Sequence, residues 1–597
     1  MKFQFLSVNN LSPKGWLKNQ LELQATGLHG NLDKIWPDVK QSKWIGGDKE
    51  GWERMPYFLD GFIPLAYLVN DQDMISRAKK YIDCILNSQL EDGCFYPAGD
   101  KNNFNRDIWS LFLLLKVLVV YHDCSNDNRI EGAVYNALKF LDKYIDAFTP
   151  YNWAGARWFE CVIPINWLYQ RKKENWLIIL AKRLKCFGFD YQLLYPEWKR
   201  IKPIWALDSH VVNIAMALKS EAVYCNLMGT KPKGLAEKML KVLFRYHGTA
   251  YGHFTGDECL SGNSPSQGSE LCGIVEAMYS YEWLFAITGE SKWGDYLENL
   301  AFNGLPATIS EDMWAHQYDQ QVNQIACIDF LNPIFRTNRG DANLFGLEPN
   351  FGCCTSNFGQ GWPKFALSSY MQEDDSLVIL SPVPMQINFN GNIVTVNSEY
   401  PFRKVFEISA QKDVKIKLRI PSWLNLENLS EYKIEKGFAL INLKASEKVT
   451  FKYDMKPLLV DRFSGRKCLK YGPLLFALPI ESKCEKLEYV KDGVERKFPY
   501  CDYTFTPISA WNYAFCGDSF SVEELPYKNA FSRANPPIKI KADFFPVKWG
   551  YEKGHQLVAS KNAGNKIVGE RQSLFMQPYG ATYLRITEMN KVNPSSK

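Results

Sequence analysis

The chain has 597 residues, too many for one ordinary hydrophobic core, so two or three domains are expected. Hydrophobic residues make up 46% and charged residues 23%, which is typical of a soluble globular protein. A net charge of +5 without a Lys/Arg-rich run argues against a nucleic-acid partner, and no apolar run is long enough to span a bilayer.

Helical periodicity extends from about Gly51 to Met371. The segments MPYFLDGFIPLAYLV and DMISRAKKYIDCILNSQ predict two amphipathic helices joined by a turn at Asn70-Asp71. Around six such hairpins would close an (α/α)6 barrel with one central pocket, whereas a superhelical solenoid is the alternative. Further helix pairs are predicted at 105–122 with 130–147, 157–171 with 174–187, 208–228 with 232–246, and 268–288 with 291–304.

After Met371 the sequence changes to short, alternating, β-branched segments divided by Asn, Gly, Pro and Asp. Examples are SLVILSPVPMQINF, NIVTVNSEY and VKIKLRIPSW. We therefore predict a multidomain α+β protein: an (α/α)6 barrel catalytic domain over 1–371, an antiparallel β-sandwich over 372–482, and a second β-rich domain over 483–597.

Two short segments hold the densest set of potential metal ligands: SELCG, with Glu270 and Cys272, and FGCCTSN, with Cys353 and Cys354. Three thiolates and one carboxylate suit a tetrahedral zinc ion. Glu270 and Cys272 can share one ion only from a turn or a helix start, which the preceding GNSPSQGS predicts. Gly352 is expected to give the cysteine pair the backbone freedom to aim both sulfurs at one ion. Inert buried thiols and a purely structural zinc are the alternatives.

The segments GDECLSGNSPSQGSELC, YLENLAFNGLPA and GCCTSN resemble glycoside hydrolase family 127, the β-L-arabinofuranosidase family. Later segments, SEYPF, LRIPSW and YGPLLFAL, resemble the β-sandwich of that family. The resemblance covers nearly the whole chain, and its most specific element is Glu-x-Cys followed by Cys-Cys-x-x-Asn. It implies zinc as the cofactor, held by Glu270, Cys272, Cys353 and Cys354, with Cys353 as the nucleophile of a retaining glycosidase.

The resemblance also implies roles for four other residues. Glu258, in the sequence Gly-Asp-Glu, falls near the place of the family's acid/base, but it lies only twelve residues ahead of Glu270, so Asp257 stays an alternative. His210, Glu298 and Tyr318 fall where the family contacts the sugar. Without the resemblance, Glu258 would be interpreted as a solvated loop carboxylate, His210 as a structural histidine and Glu298 as an ordinary helix-surface acid.

The chain departs from the family in its N-terminal half. Where the family has Gly-His pairs on the second and third inner helices, this chain has RDIWSLF and ARWFECV, so its sugar can differ. The segment WERMPYFLDGF brings Trp52, Glu53, Arg54 and Asp60 to the first hairpin, where they either line the pocket or cap and pack the helix.

Together these patterns predict an exo-acting glycosidase that removes terminal β-L-arabinofuranose from an oligosaccharide or glycoside. The alternatives are a related glycosidase for an anhydro- or deoxy-sugar, and a non-catalytic carbohydrate-binding protein with a structural zinc. A nucleic-acid or membrane partner is not expected, and a homodimer is among the assemblies that the sequence allows.

The cysteines and the N-terminus bear on the compartment. Fifteen cysteines, without the dense spacing of a disulfide scaffold, are expected to be mostly buried thiols in a reducing compartment. The N-terminal MKFQFLSVNN lacks the apolar stretch of a secretory signal. We therefore expect a cytoplasmic protein, or a periplasmic one if a signal peptide has been removed.

Overall fold

The computed structural model describes residues 1–97, 108–425 and 429–593. The first residues of the helix predicted at 105–122, including Arg106 and Asp107 of RDIWSLF, lie outside these ranges. Within them, no helix combines the length and the apolar character needed to cross a bilayer. All fifteen cysteines lie in the described ranges, and none of them forms a disulfide.

The N-terminal half is helical, and the predicted helix pairs are confirmed to within a few residues. The helices are α1 (Gly15–Thr26), α2 (Leu28–Ile35), α3 (Pro37–Lys40), α4 (Arg54–Val69), α5 (Gln72–Asn87), α6 (Trp109–Ser125), α7 (Arg129–Ala147), α8 (Asn152–Ala156), α9 (Val162–Lys172), α10 (Asn175–Phe187), α11 (Tyr191–Leu194), α12 (Val211–Ala217), α13 (Ser220–Met228), α14 (Leu235–His247), α15 (Leu271–Thr288), α16 (Lys292–Asn299), α17 (Leu305–Ala307), α18 (Gly352–Asn357) and α19 (Gly361–Ser368).

The turn between α4 and α5 illustrates how local sequence sets these bounds. Asn70 ends α4 in the left-handed region, with φ 54°, a conformation that Asn tolerates better than most residues. Asp71 then caps α5, and its side chain accepts a hydrogen bond of 3.0 Å from the backbone N–H of Met74. The predicted turn at Asn70-Asp71 is therefore confirmed.

One helix of each pair faces the centre of the helical domain. Packing contacts lead from α4 to α6, then to α9, α13, α15 and α19, and α19 returns to α4. These contacts link six helices in a closed order. The inner helices α6 and α15 are buried on almost all sides, whereas the outer helices α5, α7 and α14 bury a single face.

Charged side chains, as well as apolar ones, are buried inside the helical domain. Lys116 and Lys364 lie 3.0 and 2.6 Å from Asp60 Oδ2, and Lys219 pairs with Glu160. All five side chains are buried, so each charge depends on its partner. Asp60 is therefore an interior residue paired with two lysines, and of the two roles predicted for it, packing within the helix is the one that the structure supports.

The strands form three main sheets, and alternating burial gives the strands of the first two a buried side. The first sheet has the order β1-β5-β6-β10-β12-β11, the second β13-β9-β8-β7-β2, and the third β14-β15-β16-β24-β23-β21, with β22 on β23 and β25 on β16. Pairing is antiparallel throughout these sheets except between β6 and β10. The bounds of the first two sheets are β1 (Gln4–Phe5), β2 (Leu11–Pro13), β5 (Tyr370–Glu373), β6 (Ser376–Ile379), β7 (Met385–Phe389), β8 (Asn392–Ser398), β9 (Val405–Ala410), β10 (Val414–Arg419), β11 (Lys433–Glu435), β12 (Phe438–Leu443) and β13 (Lys448–Lys452).

The remaining strands belong to the third sheet and to three two-stranded sheets, β3-β4, β17-β20 and β18-β19. Their bounds are β3 (Gly268–Glu270), β4 (Asp319–Gln321), β14 (Pro457–Asp461), β15 (Lys467–Tyr471), β16 (Leu474–Pro479), β17 (Ser482–Leu487), β18 (Tyr489–Lys491), β19 (Val494–Arg496), β20 (Asp502–Pro507), β21 (Tyr513–Phe515), β22 (Ser521–Glu524), β23 (Ile538–Pro546), β24 (Gln572–Pro578) and β25 (Arg585–Ile586).

The sheets divide the chain at places that differ from the predicted bounds. Strands β14 to β16, within the predicted 372–482 sandwich, pair with the third sheet through β24. Strands β1 and β2, within the predicted 1–371 barrel, join the first two sheets. Both differences arise from pairing between distant segments, which local alternation of side chains does not encode.

Candidate active site

Glu270 and Cys272 lie where a short strand turns into an inner helix. Glu270 ends β3 opposite Asp319 of β4 and is the residue that precedes α15, and Cys272 lies in the first turn of that helix. The helix start predicted after GNSPSQGS is therefore confirmed. A helix N-terminus carries positive partial charge, which favours carboxylate and thiolate over their protonated forms.

Cys353 and Cys354 occupy the first turn of α18, a second helix start that points at the same place. The residue before them, Gly352, has no room for a side chain, because a Cβ at this position would lie 2.5 Å from Trp36 Cζ2. Its φ is not in the left-handed region, so the expected role of Gly352 as a source of backbone freedom is corrected to one of close packing.

The two segments, some eighty residues apart in sequence, bring four ligand atoms together. One atom each from Glu270, Cys272, Cys353 and Cys354 lies within 4.8 Å of the others. A tetrahedral zinc ion with a Zn–S bond of about 2.3 Å and a Zn–O bond of about 2.1 Å holds the sulfur and the oxygen about 3.6 Å apart. Cys354 Sγ lies 3.8 Å from Glu270 Oε1. Glu270 Oε2 is buried without a hydrogen-bond partner, so this donor set fits a cation.

Exposure and charge distinguish Cys353 from the other two thiols. Cys272 and Cys354 are buried, whereas Cys353 is partly exposed. Hydrogen bonds from Cys272 and Cys354 lower the pKa of Cys353 well below its usual range, and the positive charge of Arg54 adds to the lowering. Burial raises the pKa of Cys272 and of Cys354. Cys353 is therefore the thiol of this group that is both accessible and most readily ionised.

Tyr318 connects the thiol cluster to Glu258. Its hydroxyl donates a hydrogen bond of 2.5 Å to Glu258 Oε1 and lies 3.2 Å from Cys353 Sγ. Glu258 has a φ of 138°, a strained conformation for a residue with a side chain. Its carbonyl oxygen accepts a 2.7 Å hydrogen bond from the N–H of Val211, which helps to hold this conformation. Strain of this kind is common where a side chain must be aimed at a ligand.

His210 holds the other oxygen of the Glu258 carboxylate. His210 precedes α12, its Nδ1 accepts a hydrogen bond from the Asn213 N–H, and its Nε2 lies 2.9 Å from Glu258 Oε2. Because Nδ1 is an acceptor, Nε2 carries the proton, and this N–H donates a hydrogen bond to the carboxylate. The structure thus places His210, Glu258 and Tyr318 beside the cysteine cluster, and their roles there stay a prediction.

Asp257, the alternative acid/base, has a different environment. Its Oδ2 accepts hydrogen bonds from the backbone N–H groups of Arg336 and Thr337, and the residue is fully buried. These bonds fasten the loop at Arg336 to the helical domain. The geometry therefore favours Glu258 over Asp257 as the carboxyl group that faces Cys353.

Glu298 is the predicted site residue that the structure does not bring to the cluster. Its carboxylate is fully buried and binds Arg419 at 2.5 Å, Ser381 at 2.7 Å and Tyr400 at 2.9 Å. All three partners belong to the C-terminal β-rich part of the chain. The expectation that Glu298 contacts the sugar is corrected: it anchors the helical domain to the sheets.

We expect Glu298→Ala to lower the free energy of unfolding by about 3–5 kcal/mol, because it leaves Arg419 buried without this partner. Urea unfolding measures the change. The control is Glu290→Ala. The exposed carboxylate of Glu290 pairs with Lys292, and its loss should change the free energy of unfolding by about 0–1 kcal/mol. Normal stability together with lost turnover would restore a sugar-binding role for Glu298.

Residues from the first three inner hairpins form a polar group next to the site. Glu53 Oε1 accepts a hydrogen bond from Arg54, and Glu53 Oε2 accepts one from Trp109. Arg157 lies 3.5 Å from Glu53 Oε2, with its guanidinium over the ring of Trp109 at 4.4 Å and over that of Trp153 at 4.5 Å. The two segments that depart from the family, RDIWSLF and ARWFECV, therefore meet here.

Sequence reasoning missed Trp153 and Trp205. Trp205 Nε1 donates a hydrogen bond of 3.2 Å to Glu258 Oε2, and both rings contact His210 edge to face. The only signal was the position of Trp205 five residues ahead of His210. An aromatic residue near a histidine is as common in a hydrophobic core as in a sugar site, so the pattern does not discriminate.

Comparison with known proteins finds similar folds among solved structures. No curated protein sequence matches the chain. Among similar solved structures, a GH127 beta-arabinofuranosidase has 13% identity and a TM-score of 0.66, with 99% of both chains covered. A glycoside hydrolase has 14% identity and a TM-score of 0.69, with 99% of this chain and 98% of that chain covered. The GH127 beta-L-arabinofuranosidase Ara127N from Geobacillus stearothermophilus T6 has 14% identity and a TM-score of 0.69, with 98% of this chain and 100% of that chain covered. At these identities the structures show that the fold is shared.

One family model matches a segment of the helical domain. Residues 246–367 match the model of the family described as beta-L-arabinofuranosidase, GH127 catalytic domain. This segment contains Glu258, Glu270, Cys272 and both residues of the cysteine pair. The resemblance recognised in the sequence is confirmed over this segment: it matches the catalytic domain of glycoside hydrolase family 127, and the protein is a glycoside hydrolase.

Proposed function

We propose that the protein is a retaining exo-glycoside hydrolase that releases terminal β-L-arabinofuranose, with Cys353 as nucleophile and Glu258 as acid/base. The distance between these two groups carries the proposal. Because Tyr318 Oη lies 2.5 Å from Glu258 Oε1 and 3.2 Å from Cys353 Sγ, the two reacting atoms are at most 5.7 Å apart, the sum of the two distances. Retaining glycosidases hold their two reacting groups about 5–5.5 Å apart, and inverting ones about 6.5–9.5 Å apart.

The reaction follows from this placement in two steps. Cys353 Sγ attacks the anomeric carbon, and Glu258 protonates the leaving oxygen as the glycosidic bond breaks. Glu258, now ionised, takes a proton from a water molecule that attacks the same carbon and displaces the Cys353 thiolate. Two displacements at one carbon retain its configuration.

Tyr318 and His210 support Glu258 in this scheme. The Tyr318 hydroxyl donates to one oxygen of the carboxylate, and His210 Nε2 donates to the other. The two contacts fix the plane of the carboxylate, with Oε1 on the side of Cys353. In the proposed scheme their role is to position the acid/base, and the contact of Tyr318 with Cys353 also orients the sulfur.

Glu270, Cys272, Cys353 and Cys354 would hold the zinc ion that the family implies. When bound, zinc supplies positive charge that keeps the thiols deprotonated and damps the basicity of the attacking sulfur. The fit rests on the four convergent ligand atoms and on the unpartnered Glu270 Oε2. The closed packing order of the inner helices supports an (α/α)6 barrel around this site.

We expect protein purified without chelator to contain about one zinc ion per chain, as a four-ligand site requires. Metal analysis by mass spectrometry measures it, and Cys272→Ser should lower the zinc content. Cys327→Ser is the control, because Cys327 is a buried thiol outside the cluster. Fully active protein that contains no zinc would contradict the metal proposal.

A second candidate is a related glycosidase for a different sugar, such as an anhydro- or deoxy-sugar. The observation in its favour is the group formed by Trp109 and Arg157, in the two segments where the family has Gly-His pairs. A screen of aryl glycosides and of plant and algal oligosaccharides, with products identified by chromatography, decides between the two. Release of arabinose by the wild type, and none by Cys353→Ser, is the result expected.

A further inference from the structure

The loop before α12 places an exposed tryptophan directly on the proposed acid/base. Trp205 Nε1 donates a hydrogen bond of 3.2 Å to Glu258 Oε2, yet 43% of the residue's surface remains exposed. Two neighbouring apolar side chains, Ile201 and Ile204, are also exposed, at 42% and 78%. A soluble protein gains no stability from such exposure, so an apolar surface beside a reactive carboxyl group indicates contact with a ligand.

The loop is held in place at both ends. The Lys202 N–H donates to the carbonyl of Leu260 at 2.9 Å, and the Ala206 N–H lies 3.4 Å from Cys259 Sγ. The loop is thus tied to the segment that follows Glu258, so the ring and the carboxylate keep one relative position.

A second tryptophan braces the first. Trp153 meets Trp205 edge to face at 5.6 Å and lies over the Arg157 guanidinium, which holds the Trp153 ring. Both rings contact His210. Trp205 therefore presents its exposed surface from a rigid support, as a stacking platform for a flat ligand requires.

The chemistry of the reaction identifies the ligand. A general acid donates its proton to the leaving oxygen, so the leaving group lies within hydrogen-bond reach of Glu258. Because Trp205 bonds to that carboxylate, its indole is within reach of the first unit of the leaving group. Sugar rings present flat faces of C–H groups that pack on aromatic rings, and a methyl leaving group has no such face.

We propose that Trp205 forms a leaving-group subsite that packs against a saccharide ring next to the bond being broken. This inference rests on the proposed function. Trp205 is then a specificity-determining residue: it favours arabinofuranosides whose leaving group is a sugar over those whose leaving group is small.

The test compares two substrates of the same enzyme, a β-L-arabinofuranosyl disaccharide and methyl β-L-arabinofuranoside. The readout is the ratio of their kcat/KM values, which is independent of the fraction of folded enzyme. We expect Trp205→Ala to lower this ratio about 10- to 100-fold, the factor for losing burial of an apolar face. Trp205→Phe keeps a ring and should leave the ratio within about threefold of the wild type. Trp176→Ala, on the outer helix α10, should not change the ratio.

Damage to Glu258 would move the ratio in the other direction. Methanol is a poorer leaving group than a sugar hydroxyl, so a weakened acid slows the methyl glycoside more and raises the ratio. An unchanged or raised ratio in Trp205→Ala would overturn the subsite while leaving the proposed function intact. A wild type that cleaves neither substrate would overturn the proposed function and the subsite with it.

Discussion

Replacing Cys353 by serine is expected to lower kcat on an arabinofuranoside by about 10³- to 10⁶-fold, the range seen when enzymes lose their nucleophile. The hydroxyl keeps a polar group in place, but its proton is removed far less readily than that of a thiol. The substitution should lower kcat and leave KM little changed, because the pocket that binds the sugar is otherwise unchanged. Steady-state kinetics with matched zinc content measure it.

The neighbouring cysteine is the matched control. Cys354 belongs to the same cluster but is buried, so Cys354→Ser should act mainly by weakening zinc binding. Added zinc should restore part of the activity of Cys354→Ser and none of the activity of Cys353→Ser. Near-normal turnover by Cys353→Ser would remove the thiol from the mechanism.

Replacing Glu258 by glutamine is expected to slow a methyl arabinofuranoside by about 10²- to 10⁴-fold, the contribution of a general acid. An activated aryl arabinofuranoside should lose much less in the first step, because its leaving group departs without a proton. Pre-steady-state kinetics separate this step from hydrolysis of the intermediate, which also needs Glu258 as base.

Asp257→Asn is the control for Glu258. Asp257 accepts backbone hydrogen bonds from the loop at Arg336 and Thr337, so its loss should lower stability without a dependence on the leaving group. Equal losses on both substrates in Glu258→Gln would assign Glu258 a binding or structural role. A dependence seen only in Asp257→Asn would transfer the acid role to Asp257.

The parts of the fold that local sequence encodes were predictable. Periodicity and breakers located the turn at Asn70-Asp71 and the start of α15 after GNSPSQGS. The convergence of Cys272 with Cys353 was not derivable from spacing, because their segments lie some eighty residues apart; the resemblance to a family supplied it.

The errors share one cause, contacts between distant segments. Glu298 has the sequence context of a helix residue, and only the packing of the sheets against α16 brings Arg419 to it. Likewise, nothing local indicates that β16 pairs with β24, a hundred residues later, or that Trp205 reaches Glu258. Alternation and periodicity define elements, whereas their partners depend on the whole chain.

Covalent catalysis by Cys353 is the central claim, and the configuration of the first product tests it most directly. Proton NMR recorded within the first minutes of hydrolysis identifies the anomer released, before mutarotation equilibrates it. Two successive displacements at the anomeric carbon predict β-L-arabinofuranose, with the configuration retained. Release of the α anomer would mean a single displacement by water and would contradict a covalent bond to Cys353.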